Sequence, residues 1–68
     1  MKDEAVRLGQ NLKKIRTKNG MSQGDIARAL NVSRGYVSNI ENGKLNPTLS
    51  TIVRLAEALD VSTDKLFK

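Results

Sequence analysis

The sequence predicts an all-α fold, a compact five-helix bundle in a single domain spanning residues 1–68. Three observations carry that prediction. Four hydroxyl residues, Ser22, Ser33, Thr48 and Ser62, stand where helix N-caps belong, each with a preceding residue able to pack on an apolar one four positions into the helix. Between them, apolar residues recur at helical spacing rather than in alternation. The one hairpin-like dipeptide, Asn42-Gly43, lacks alternating flanks, so no strand competes.

The first helix is expected over about 3–19. Asp3 and Glu4 place acids at the positive end of the helix dipole, and Leu8, Leu12 and Ile15 form the buried stripe. Asn19-Gly20 ends it, since glycine accepts the left-handed conformation that closes a helix. The second helix, 23–30, is capped by Ser22 and stapled by Met21 and Ile26; the third, 34–41, is capped by Ser33 and stapled by Val32 and Val37. The fourth, 49–59, follows Thr48 with a weaker Pro47/Ile52 pair and carries Leu49, Ile52, Leu55, Ala56 and Leu59 as its stripe. A fifth, 63–67, is expected from Ser62 with Val61 and Leu66. Asp25 and Thr51 stand three residues after their caps, in the second position of a capping box.

At 68 residues the chain has room for one core and no second lobe. It contains no cysteine and no histidine, which removes disulfides and the common zinc ligand sets, and no cofactor or metal is expected. Met1-Lys2-Asp3-Glu4 lacks the apolar stretch of a secretory signal, and no apolar run has the length of a membrane span, so a cytoplasmic protein is expected. The net charge is +5, unevenly placed. Residues 1–20 carry six Lys/Arg against two acids, residues 21–48 three against two, and residues 49–68 three against three. A basic N-terminal field points to a polyanionic partner, although modest net charge is also ordinary for a small domain.

Residues 21–42, MSQGDIARALNVSRGYVSNIEN, are the informative stretch. Two short helices flank the three-residue turn Asn31-Val32-Ser33; Ala27 allows a close crossing, and Asn31 tolerates the left-handed backbone the turn needs. Ile26, Leu30, Val32, Val37 and Ile40 point inward, which makes this a helix-turn-helix over about 22–42.

These residues resemble the Cro/C1 (XRE-type), lambda repressor-like DNA-binding domain. Ser22-Gln23-x-x-Ile26-Ala27 opens the motif in the family manner, followed by Val32-Ser33-Arg34-x-Tyr36-Val37-Ser38-x-Ile40-Glu41-Asn42-Gly43, Asn46-Pro47 and Leu55-Ala56-x-Ala58-Leu59-x-Val61. The short chain and the Ser-Arg-x-Tyr start of the second motif helix resemble controller-type regulators of restriction–modification systems and small prophage repressors. The chain departs from the pattern at Asn31, where glycine is commoner, and at Gly35, which removes a side chain many relatives use on bases. The resemblance implies a transcriptional regulator that binds double-stranded DNA, with the helix after the turn in the major groove.

On that footing Arg34, Gly35, Tyr36, Ser38 and Asn39 are the candidate base contacts. Arg34 suits a bidentate contact to guanine or a phosphate; Tyr36 suits either DNA or half-buried packing. Gln23, Asn42, Lys44 and Asn46 match positions that grip phosphate in the family, whereas Lys13, Lys14 and Lys18 are read as long-range electrostatics. Glu41 needs compensation near DNA, and Arg16 matches the arginine that pairs with this glutamate in related domains; the alternative is two exposed charges. No small-molecule effector is implied.

A homodimer is expected through residues 49–67, because that third is neutral and carries apolar residues beyond one stripe: Val53, Val61, Leu66 and Phe67. The alternative is that Leu66 and Phe67 close the monomer's own core. Three pattern matches carry no chemistry: Ser62-x-x-Lys65, the sequon Asn31-Val32-Ser33, and the Glu57/Asp60 pair, which reads as a solvated face. Without His, Cys or a glycine-rich phosphate loop, no enzyme is expected. The competing reading is an antitoxin-like, protein-binding use of the same fold.

Overall fold

The structure, a computed structural model, describes the backbone of residues 2–68 and the side chains from Glu4 onward; the acidic start assigned to Asp3 lies outside the described side chains. Four α-helices follow one another: α1 (Lys2–Lys18), α2 (Gln23–Leu30), α3 (Arg34–Glu41) and α4 (Leu49–Leu59). Where a fifth helix is expected, the chain forms only a four-residue 3₁₀ turn, Thr63–Leu66. No strand occurs among the described residues.

The caps behave as the sequence grammar requires at three of four sites. The hydroxyls of Ser22, Ser33 and Thr48 accept from the N–H groups of Asp25, Tyr36 and Thr51 at 3.0, 3.1 and 3.3 Å. Asp25 closes the box by accepting from the Ser22 N–H at 2.8 Å. Ser62 is the exception. Its hydroxyl donates to the Asp64 carboxylate and caps no backbone N–H, so a competing acceptor two residues away removes the signal for a full helix.

All four helices end in the same way. In each, the residue after the left-handed position donates back five positions, as Met21 N to Arg16 O, Val32 N to Ala27 O, Lys44 N to Asn39 O and Val61 N to Ala56 O, at 2.9–3.0 Å. The left-handed position is glycine after α1 and α3. After α2 and α4 it is Asn31 and Asp60, both at φ 58°, ψ 46°. The segments ALNVS (29–33) and ALDVS (58–62) are thus one structural phrase used twice, with a short polar side chain bearing the left-handed backbone.

The core joins Leu8 and Leu12 of α1, Ile26 and Leu30 of α2, Val37 and Ile40 of α3, and Ile52, Leu55 and Leu59 of α4. Leu66 is fully buried in the same cluster. That corrects its assignment to a dimer interface: the 3₁₀ turn folds Leu66 under α1 and α4, and its carbonyl accepts from the Asn11 side chain at 2.9 Å. Phe67 points elsewhere and is 47% exposed. Val61 is half-buried against the core. Leu49 also departs from expectation, at 73% exposed. It lies in the first turn of α4, roughly 70° around the helix from the centre of the buried face at about 100° per residue, and burial begins at Ile52. Ile15, expected within the α1 stripe, is half-buried at its edge.

One glycine sets the distance between α1 and α3. A Cβ built on Gly9 would lie 2.3 Å from the Ile40 carbonyl oxygen and 2.6 Å from that of Glu41. Both are backbone atoms of the last turn of α3 and cannot swing aside. Alanine would gain about 1 kcal/mol of helix propensity, against overpacking that costs about 1–3 kcal/mol. Gly9→Ala is therefore expected to lower the urea midpoint; an unchanged or raised midpoint would show that α1 and α3 do not need this contact.

Candidate nucleic-acid interface

The site is organised around the last turn of α3. Glu41 is buried, although it is a carboxylate on a surface helix, because three side-chain donors meet it. Arg16, near the end of α1, donates from Nε to Glu41 Oε2 at 2.6 Å and from Nη2 to Oε1 at 3.1 Å. Its remaining nitrogen, Nη1, donates to the Met21 carbonyl at 2.8 Å, just before the α2 cap. Gln23, the first residue of α2, donates from Nε2 to Glu41 Oε1 at 2.9 Å. One ion pair thus ties the end of α1, the start of α2 and the end of α3. No buried side-chain polar atom among the described residues lacks a partner, as a buried charge pair requires.

From that anchor α3 runs outward. Val37 and Ile40 face the core, which turns Arg34, Gly35 and Asn39 to solvent and leaves Ser38 half-buried. Arg34 sits at the first position of α3. Around Gly35 there is open space: an added Cβ would meet only the Ser33 hydroxyl, at 3.9 Å. Tyr36 packs partly on the core. Asn42 is exposed and its amide donates to the Ser38 hydroxyl at 3.4 Å. Lys44 and Asn46 are exposed in the connection from α3 to α4. The predicted residues therefore form two groups: a continuous outer face of α3 with its following loop, and the buried Arg16–Glu41–Gln23 node behind it. In this node the half-buried Gln23 amide gives one N–H to Glu41 at the N-terminal end of α2.

The α2 cap carries its own charge. The Ser22 N–H, helped by the Ser22 hydroxyl and Arg28, holds the Asp25 carboxyl below the usual carboxylate range.

Several positioning residues give no local signal. Arg54 of α4 donates to the Leu30 carbonyl at the end of α2. Asn19 donates from its side chain to the Leu59 carbonyl at 3.0 Å, closing the end of α4 from the α1–α2 loop. Asp60, read as a solvated carboxylate, holds the left-handed turn after α4.

Two short helices crossing at a three-residue turn whose first residue, Asn31, is left-handed, with the second presenting an unpartnered polar face, define a helix-turn-helix domain. The chain belongs to the helix-turn-helix family HTH_3, which matches residues 12–66. It is 37% identical over 68 residues to the control protein C.MunI of Mycoplasma sp, covering 98% of this chain and 92% of that one. Among solved structures it superposes on the restriction–modification controller protein C.AhdI of Aeromonas hydrophila with a TM-score of 0.90, at 38% identity, over 96% of this chain and 98% of that one. A second controller protein, C.Esp1396I, solved as a tetramer in complex with its natural 35 base-pair operator, matches with a TM-score of 0.82 at 33% identity, over 93% of this chain and 83% of that one.

Removing one partner of a buried pair strands the other, at about 3–5 kcal/mol. Arg16→Ala is expected to lose stability on that scale in chemical denaturation. Arg16→Ala/Glu41→Gln, which removes the stranded charge, is expected to recover part of it. Strict additivity of the two single effects would mean that the charges do not interact.

Proposed function

We propose that the protein is a transcriptional regulator of the repressor or controller type, acting in the cytoplasm as a homodimer on palindromic double-stranded DNA sites. The observation that carries this reading is the outer face of α3: Arg34, Gly35 and Asn39 are exposed along a helix anchored at its far end by a buried ion pair. A helix of this kind enters the major groove with its N-terminal residues toward the base edges. Arg34, at the first position, reaches farthest and suits the two acceptors of guanine. Gly35 lets the α3 backbone approach the groove floor, while Ser38, Asn39 and the outer edge of Tyr36 complete the reading face. Asn42, Lys44 and Asn46, with the start of α2 at Gln23, take the flanking phosphates, which fix register without reading sequence. The likeness to a controller protein solved on its operator supports this orientation.

Arg34→Ala is expected to cost about 1–3 kcal/mol of affinity and to relax preference at one position of each half-site. Lys44→Ala is expected to weaken all duplexes about equally. Competition binding against single-base operator variants separates the two effects. A uniform loss for Arg34→Ala, with selectivity intact, would reassign Arg34 to phosphate.

The dimer reading rests on exposed apolar surface in the neutral third of the chain. Leu49 and Val53 are neighbours at i, i+4 on α4, and Phe67 follows the 3₁₀ turn packed on that helix. Val61 contributes its uncovered edge. Sedimentation equilibrium at micromolar concentration is expected to give a dimer for the full chain and a shift toward monomer for Phe67→Ala. Identical masses that stay monomeric on a palindromic site would end the dimer reading.

A further inference from the structure

Behind the reading face, α1 and the terminal 3₁₀ turn enclose an open groove of about 330 Å³ lined by Asn11, Lys14, Ile15, Lys18, Lys65 and Lys68. Four of the chain's twelve basic residues thus converge on one shallow channel. Its floor is Ile15, half-buried against the core, and its wall is pinned by the Asn11 amide on the Leu66 carbonyl. Lys68 pairs with Asp64 at 3.2 Å; among the described residues no other lysine of the groove is in an ion pair.

We infer that this groove binds an acidic segment of a partner protein, with carboxylates on the lysine rim and one apolar side chain seated on Ile15. Position argues against DNA as the occupant. At 3.6 residues per turn, Asn11, Lys14, Ile15 and Lys18 lie roughly 140° around α1 from Gly9 and Arg16, which face α3. These lysines thus stand across α1 from α3, away from a duplex held on the outer side of that helix. Chemistry argues against a small anion. The donors are flexible ammonium groups around an apolar floor rather than buried groups converging on one point. Phe67 does not line the groove, so the apolar face assigned to self-association remains separate. The inference does not depend on α3 reading DNA, because the acidic peptide and the groove amides that report its binding do not involve that helix.

The test uses the full ¹⁵N-labelled chain and a blocked decapeptide of Glu and Asp with one central Leu, beside a matched Gln/Asn peptide, inorganic phosphate and a short duplex. Expected is a saturable shift of the Asn11 side-chain amide and the Ile15, Lys18 and Lys65 backbone amides with the acidic peptide alone. Binding is expected to weaken at least about fivefold between about 20 and 200 mM salt, as exposed charge pairs are screened. Lys14→Gln/Lys18→Gln is expected to weaken it at least about fivefold again. Equal response to the neutral peptide, shifts centred on residues 34–39, or no saturation would overturn the proposal. So would phosphate reproducing the shifts, or the duplex displacing the peptide from these amides. The Ile15 and Lys18 amides, on α1 and away from Phe67, moving on dilution without peptide would assign the groove to a second copy of the chain and would also overturn it.

Discussion

The contact on which this molecule depends is the buried bond between the Arg16 guanidinium and the Glu41 carboxylate. An ion pair in this position gives little net stability relative to apolar side chains of the same size, because both charges must leave water. What it supplies is direction. The carboxylate accepts from two Arg16 nitrogens and from Gln23, and the guanidinium's last donor is fixed on the Met21 carbonyl. Moving α3 against α1, or α2 against either, breaks charge-assisted bonds out of reach of bulk water. Gly9 brings the two backbones close enough for the pair to form, and its missing side chain is as necessary as the charges.

Such rigidity matters because α3 is only eight residues long. A helix of that length is marginal alone. Its hold on the rest of the protein comes from Val37 and Ile40 in the core and from Glu41 at its end, which leaves its outer residues free of structural duties. Gly35 illustrates the consequence: nothing in the fold occupies the space around it, and its presence there costs helix stability.

The sequence discloses what is decided locally. Caps at Ser22, Ser33 and Thr48, the apolar stripes, and the left-handed turn at Asn31 were all readable, since each depends on residues within four positions. The fifth helix was misread because the Asp64 carboxylate takes the Ser62 hydroxyl, a competition that cap counting does not weigh. Leu49 and Leu66 exchanged roles for a related reason. Periodicity marks a stripe around a helix and says nothing of whether a neighbour covers its edge. Asn11, Asn19 and Arg54 were missed because each bonds a carbonyl 24 to 55 positions away, where no local pattern points. Gly9 carried a signal of a kind, a glycine in mid-helix, which ordinarily costs about 1 kcal/mol and so asks for a packing reason.

The surface divides into an outer face of α3, an apolar strip on the neutral C-terminal third, and a lysine groove behind α1. The division follows from the anchor, which commits the last turns of α1 and α3 to each other and leaves their outer sides for partners. The central claim is that α3, fixed in this attitude, reads base edges. Selection of bound sites from random duplex DNA, with stoichiometry measured on the winners, tests it most directly. The account predicts a palindromic consensus with half-sites about one helical turn apart and two chains per site. Enrichment of no sequence above background, at a salt concentration where duplex is still bound, would contradict it.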